Sequence, residues 1–326
     1  MLTITALTPP ESLSRTRETG RTPLRVGLVQ HRWHENDQDL RAELDEGIAA
    51  AAKLGARVVF LPELTLSRYP ASTPGGDNPG RTAEDLLTGP TFTFAAKPPP
   101  NTASSSTPRC TSGTTPRTAC STRTGSVSTR PSSSPPPANC SPAPASCTSP
   151  SPPATTRTPT SAAVPQPIPT PSTPPRHSAG RSSDCRRAGT SGSPEVARAY
   201  SLGGAEILVY PTAIGSEPDH PQFDTQPLWQ QVIVGNGIAN GTFMVVPNRH
   251  GSEGLITFYG SSFISDPYGR VLAQAPRDES AVLVADLDLQ QREDWLALFP
   301  FLATRRPDTY SVLTEPVDHA SPFGRA

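Results

Sequence analysis

The chain has 326 residues, a formal net charge of −1 and 6% aromatic side chains, a balance that suits an α/β protein of one or two domains. It offers no basic stripe or polybasic run for nucleic acid. Residues 1–23 are rich in Pro, Ser, Thr and Arg and lack the apolar core of a signal peptide, and no apolar run is long enough to span a bilayer. A disordered leader and a cytoplasmic location are therefore expected.

Residues 25–30 (RVGLVQ) predict a short buried strand. Asn36 or Asp37 is placed to cap a helix reaching Leu54, with Gly55 as its stop. Residues 57–64 (RVVFLPEL) form a β-branched run ending in a carboxylate, so the opening is strand–helix–strand. A second short helix is predicted from near Thr82 to Leu87, ended by Gly89 and Pro90, and residues 91–96 resume an apolar pattern. Beyond residue 193 the alternation returns. It gives a helix over 194–202, a strand over 205–211, a helix over 228–240, and strands over 242–246, 256–263 and 282–288, with Gly269 marking a turn. Residues 290–295 predict a last helix and 298–302 (LFPFL) an apolar arm, leaving 311–326 as a tail.

Between these flanks, residues 97–192 contain no Leu, Phe, Tyr, Trp, Met or Glu, yet hold all five cysteines and about half of the 41 prolines. Such a stretch buries too little apolar surface to offset its ordering entropy, and disorder is predicted for it as written. The cysteine spacings fit no zinc pattern and include no Cys-x-x-Cys, so no metal or disulfide role is expected. A Pro-rich linker tethering two folded, non-catalytic pieces is one reading of this composition. Against it, each flank supplies strands of one sandwich, and neither carries a complete core.

Glu63 stands where an apolar strand ends, the edge at which α/β enzymes place catalytic groups, although position alone favours a solvated loop acid. Three strings change that balance: FLPELTLSRYP at 60–70, AEILVYPTAIGSEP at 205–218 and VVPNRHGSEGLITFYGSSFISDPYG at 245–269. Their order and spacing resemble the nitrilase, or carbon-nitrogen hydrolase, superfamily, in particular its N-carbamoylputrescine amidase and N-carbamoyl-amino-acid amidohydrolase branches. The resemblance implies an α-β-β-α sandwich over residues 24–310, homo-oligomers, no cofactor, and a small amide or N-carbamoyl substrate. It also implies a Glu-Lys-Cys set in which a thiolate attacks, a glutamate acts as general base and a lysine stabilises the oxyanion. Only Glu63 matches that set. The family's KLHIP-like and CWDQWFPE-like strings are absent.

The tail of the second string survives in Pro194 and Glu195. If each original codon joins the last base of one present codon to the first two of the next, the Arg187–Ala188 boundary can encode Cys, and the boundaries through Ser193 can encode Trp, Asp, Gln, Trp and Phe. Under the same shift the Ala145–Ser146 boundary can encode Lys, followed by Leu, His, Ile and Pro. The boundaries from Ala154 to Arg157 can encode Tyr, Tyr and Glu, and those from Pro100 to Ser104 can encode Glu, His, Gly and Ile. One shift serves all four stretches in family order, which points to a base lost near Ala96 and one gained near Ser193.

Other residues keep two readings. His31, His34 and Glu35 suggest a metal pair, but a solvated loop is the expectation. Tyr69 lines a pocket or packs, and Asn248, Arg249 and Glu253 contact substrate or a partner subunit.

Overall fold

Strands that are apolar at every position, rather than at alternate ones, belong in sheets covered on both faces. The computed structural model, which describes residues 1–70, 84–85, 88–96, 117–119, 183–185 and 192–316, places them so. The first sheet has the order β1 (Leu2–Ala6), β12 (Ala281–Leu287), β2 (Leu24–Gln30), β3 (Val58–Phe60), β4 (Arg117–Ala119). The second runs β11 (Val271–Gln274), β10 (Phe263–Ser265), β7 (Phe243–Val246), β6 (Ile207–Val209), β5 (Ser183–Cys185). A separate ribbon pairs β8 (His250–Glu253) with β9 (Ile256–Tyr259).

Side-chain alternation sorts these strands into layers. Val26, Leu28, Leu283 and Leu287 of the first sheet meet Ile207, Val209, Phe243 and Val245 of the second in one buried cluster. On the other face of the first sheet, Val29, Val59, Val282 and Val284 pack on Leu40, Leu44, Ile48 and Ala51 of α1 (Asp37–Lys53). Behind the second sheet, Leu208, Tyr210, Met244 and Val246 pack on Ala197 of α3 (Pro194–Leu202) and on Trp229 and Ile233 of α4 (Gln226–Asn240). The result is the expected α-β-β-α sandwich.

The flanks are not separate domains. β12 pairs antiparallel with β2 over seven residues, from Ala281↔Gln30 to Leu287↔Leu24, so the C-terminal flank completes the sheet begun by the N-terminal one. α1 starts as the sequence predicts: Asn36 accepts the Gln38 N–H at 2.9 Å. It then lies directly on the backbone of β2, where a Cβ on Gly27 would sit 2.9 Å from the Ala51 Cβ. α4 begins two residues before its predicted start, with Pro227 in its first turn, and ends at Gly241 in the left-handed region (φ 62°).

Three expectations need correction. Residues 1–23 do not form a structureless leader. β1 extends the sheet in parallel with β12, and the following segment is strapped to α5 (Gln290–Leu298) by Ser12 and Arg15 on Asp294, at 2.7 and 3.0 Å, and by Gln291 on the Pro10 carbonyl at 2.7 Å. The single strand expected over 256–263 is two strands in different sheets, because Gly260 and Ser261, with φ of 54° and 55°, turn the chain between β9 and β10. Pro90 opens rather than ends a helix, α2 (Pro90–Ala96), where its fixed φ and missing N–H suit the first turn. Most of the helix expected near residues 82–87, most of the 97–192 interruption and the tail from 317 onward lie outside the described residues.

The apolar arm after α5 is an aromatic stack. Trp295, Phe299 and Phe301 follow one another at ring separations of 4.8 and 5.8 Å, with Tyr268 against Trp295.

Candidate active site

β2 and β3 run parallel, in register from Val26↔Val58 to Leu28↔Phe60, and β6 and β7 run parallel from Ile207↔Phe243 to Val209↔Val245. The loops leaving their C-terminal ends are where such sheets collect functional groups. Glu63 is in the loop leaving β3. It is half-buried rather than a solvated loop acid, and the turn that carries it is tight. Thr65 Oγ1 donates to the Pro62 carbonyl at 2.7 Å, the Ser67 N–H donates to the Leu64 carbonyl at 2.9 Å, and Leu64 takes a positive φ of 55°. A leucine there is uncommon and costs on the order of 1–3 kcal/mol, so surrounding contacts must hold it.

Those contacts come from the β8–β9 ribbon and from Arg249, the residue just before it. The Arg249 guanidinium is fully buried: Nη1 donates to the Ser67 carbonyl at 3.0 Å, and Nη2 lies 2.7 Å from Glu253 Oε1. That ion pair is close but not aligned as a hydrogen bond, and Arg249 Nε has no hydrogen-bond partner among the described residues. Glu253 Oε2 accepts the Tyr69 N–H at 2.8 Å. Phe258 closes the cluster, with the guanidinium 5.4 Å from its ring centre and the Tyr69 ring edge-on at 5.2 Å. Burial lowers the Arg249 pKa to about 10, and the charges of Glu253 and Glu63 oppose that fall. Arg249 therefore stays a cation, and Glu63 lies within its field.

His31, at the end of β2, is buried rather than in a solvated loop. Its Nδ1 donates to the Arg32 carbonyl at 2.8 Å, and burial, then the Arg249 charge, depresses its pKa to about 3. His34 pairs instead with Glu43 at 2.5 Å. The two histidines take different partners, and among the described residues no three His, Cys, Asp or Glu side chains are arranged to hold a metal ion.

Asn248 is occupied structurally. Its amide bonds both main-chain groups of Ile214, each at 3.0 Å, and the Gly260 carbonyl at 2.8 Å, which ties together the chain beyond β6, β7 and β9. Tyr69 packs on Phe258. Sequence reasoning passed over Gln30, whose side chain bonds the Pro276 and Glu279 carbonyls and the Ser262 N–H at 2.7–2.9 Å. The available signal was a polar residue closing an apolar strand. The positions inferred to encode lysine (Ala145–Ser146) and cysteine (Arg187–Ala188), and the Tyr-Tyr-Glu stretch, lie outside the described residues.

The four-layer α-β-β-α arrangement is a nitrilase-type fold. It is similar to that of a carbon-nitrogen hydrolase from Helicobacter pylori G27, at a TM-score of 0.53 and 19% identity over 90% of this chain and 99% of that one. An amidase from Nesterenkonia sp. AN1, with the acetamide moiety of fluoroacetamide covalently added at its active-site cysteine, is similar at a TM-score of 0.51 and 15% identity, over 90% and 97% of the two chains. In sequence, residues 190–297 match the carbon-nitrogen hydrolase family. N-carbamoylputrescine amidase of Arabidopsis thaliana is 44% identical over 128 residues, 37% of this chain and 43% of that protein. Citrullinase of Francisella tularensis is 44% identical over 124 residues, 36% and 42% of the two. The chain aligns with less than half the length of these relatives.

Proposed function

We propose that the gene encodes an amidase acting on a small linear amide or N-carbamoyl compound, with Glu63 as general base, and that residues 97–192 are translated out of frame. The chain as written then lacks the lysine and cysteine and has no covalent route. In the intact enzyme Glu63 takes the thiol proton as sulfur attacks the carbonyl carbon, and returns it to the departing nitrogen as the C–N bond breaks. The lysine stabilises the oxyanion, and water, deprotonated by Glu63, releases the acyl group from the thioester.

One observation carries this reading. The family match begins at residue 190, within a few residues of Ser193, where the frame is inferred to resume. A terminal ureido group is shared by N-carbamoylputrescine and citrulline, the compounds that the 44%-identical relatives are named for. We therefore favour a ureido-bearing amine or amino acid as substrate. We infer from the family resemblance that the intact protein is a cytoplasmic homo-oligomer. No helix among the described residues is long and apolar enough to cross a membrane.

The test is the nucleotide sequence between the codons for Phe94 and Glu195, read in all frames. It should yield a Lys-Leu-His and a Cys-Trp-Asp string. A chain restored to that frame should release ammonia from N-carbamoylputrescine or citrulline, whereas the present chain should not. Absence of both strings from every frame, or turnover by the present chain, overturns the proposal.

A further inference from the structure

Glu63 rides on a turn whose conformation its own sequence does not favour. Leu64 stands in the left-handed region, and the bonds internal to the turn, Thr65 to Pro62 and Ser67 to Leu64, do not relieve it. What fixes the far end of the turn lies about 180 positions away in the chain. Arg249 holds the Ser67 carbonyl and Glu253 holds the Tyr69 N–H, while Phe258 backs both the guanidinium and the Tyr69 ring. Arg249 and Glu253 are almost wholly excluded from solvent, at 0% and 4% exposure. A buried ion pair is weak evidence for stability, because desolvation offsets most of its attraction, and hydrophobic residues of similar volume often do as well. The imperfect alignment of this pair, and an Nε with no hydrogen-bond partner among the described residues, add to that weakness. The two side chains spend their aligned bonds on the backbone of the loop, not on each other.

We propose that Arg249, seated by Glu253, is the positioning residue for Glu63, a latch by which the β8–β9 ribbon holds the loop after β3 in a strained, catalytically aimed form. The proposal rests on Glu63 being the general base. A base displaced by about 1 Å can lose on the order of 10²-fold in rate, so a rigid latch has a direct chemical consequence. Arg249 touches no reacting atom in this scheme and acts through the loop.

Two experiments test it. In the chain as it stands, residue-resolved amide hydrogen exchange is compared between the parent, Arg249→Lys and Glu253→Gln. The Ser67 and Tyr69 amides should exchange at least about tenfold faster in both variants, with the amides of Val26 and Leu283 at parental rates. Unchanged exchange at Ser67 and Tyr69 overturns the latch, as does an equal rise at Val26 and Leu283, which would make the pair a general core element. In the frame-restored chain, Arg249→Lys should lower kcat on the order of 10²-fold while KM stays within about twofold. A change confined to KM overturns the positioning role. A restored chain without any activity counts against the proposed function itself, and the exchange experiment still decides the latch.

Discussion

Arg292 Nη1 donates to the main-chain carbonyl of Asn240 at 2.9 Å, one of four bonds that this buried guanidinium makes at the ends of two helices. It also reaches the Gly241 carbonyl at 3.1 Å, and the Ser201 Oγ and carbonyl at 3.1 and 3.0 Å. A cation from α5 thereby satisfies C-terminal carbonyls of both α3 and α4, where helix dipoles favour positive charge. Arg292→Met should cost about 2–4 kcal/mol, since it strands buried carbonyls while keeping most of the volume. Urea unfolding of the two chains measures this, and a loss below about 0.5 kcal/mol would contradict the role.

Asn248 is argued to be structural. Asn248→Ala should therefore lower stability by about 2–4 kcal/mol, because the Ile214 N–H and carbonyl and the Gly260 carbonyl lose their partner together. Denaturant midpoints decide it. An unchanged midpoint would return Asn248 to the candidates for substrate contact.

Gly27 is where α1 touches the sheet. Gly27→Ala places a methyl 2.9 Å from the Ala51 Cβ and 3.3 Å from the Ala56 Cβ, so the helix must lift. A loss of about 1–3 kcal/mol is expected from such overpacking. Gly27→Val should lose more.

The buried His31 makes stability depend on pH. Its folded pKa of about 3 lies below the unfolded value of 6.5, so between these limits the unfolded chain binds a proton that the folded chain refuses. Its contribution is complete above pH 6.5 and falls as pH drops toward 3, with a slope of at most about 1.4 kcal/mol per pH unit. His31→Gln should flatten the stability profile in that window relative to the parent. Parallel profiles from pH 6.5 down to 4 would contradict the assignment.

In the frame-restored chain, Glu63→Gln should lower kcat by about 10²–10⁴-fold with little change in stability, as expected for loss of a general base. Steady-state ammonia release and a thermal melt of the same preparations separate the two effects. Full activity in Glu63→Gln would remove Glu63 from the mechanism.

Much of the sandwich was legible because buried strands and capped helices carry strong local signals. The RVGLVQ run, the Asn36 cap and Pro194 at the first turn of α3 each specify their element without help from distant chain. β1 was hidden because LTITA sits beside Pro- and Ser-rich sequence, and only its pairing with β12 makes it a strand. The break between β9 and β10 was hidden because nothing in GSS announces that Ser261 will adopt a positive φ. At the site, the carboxylate of Glu63 could be picked out through resemblance, but the Arg249–Glu253 latch could not. Four-residue spacing between Arg249, just before β8, and Glu253 at its end does not reveal that both side chains turn toward a loop far earlier in the chain.

The seven-residue pairing of β12 with β2 also constrains the timing of assembly. At roughly 5–20 residues per second, β12 leaves the ribosome on the order of 10–50 s after β2. Throughout that interval the open edge of β2 is a template for any passing strand, and β1 has no neighbour to join. That edge stays exposed to mispairing until residue 287 has been made, whatever reading frame is used for the residues in between.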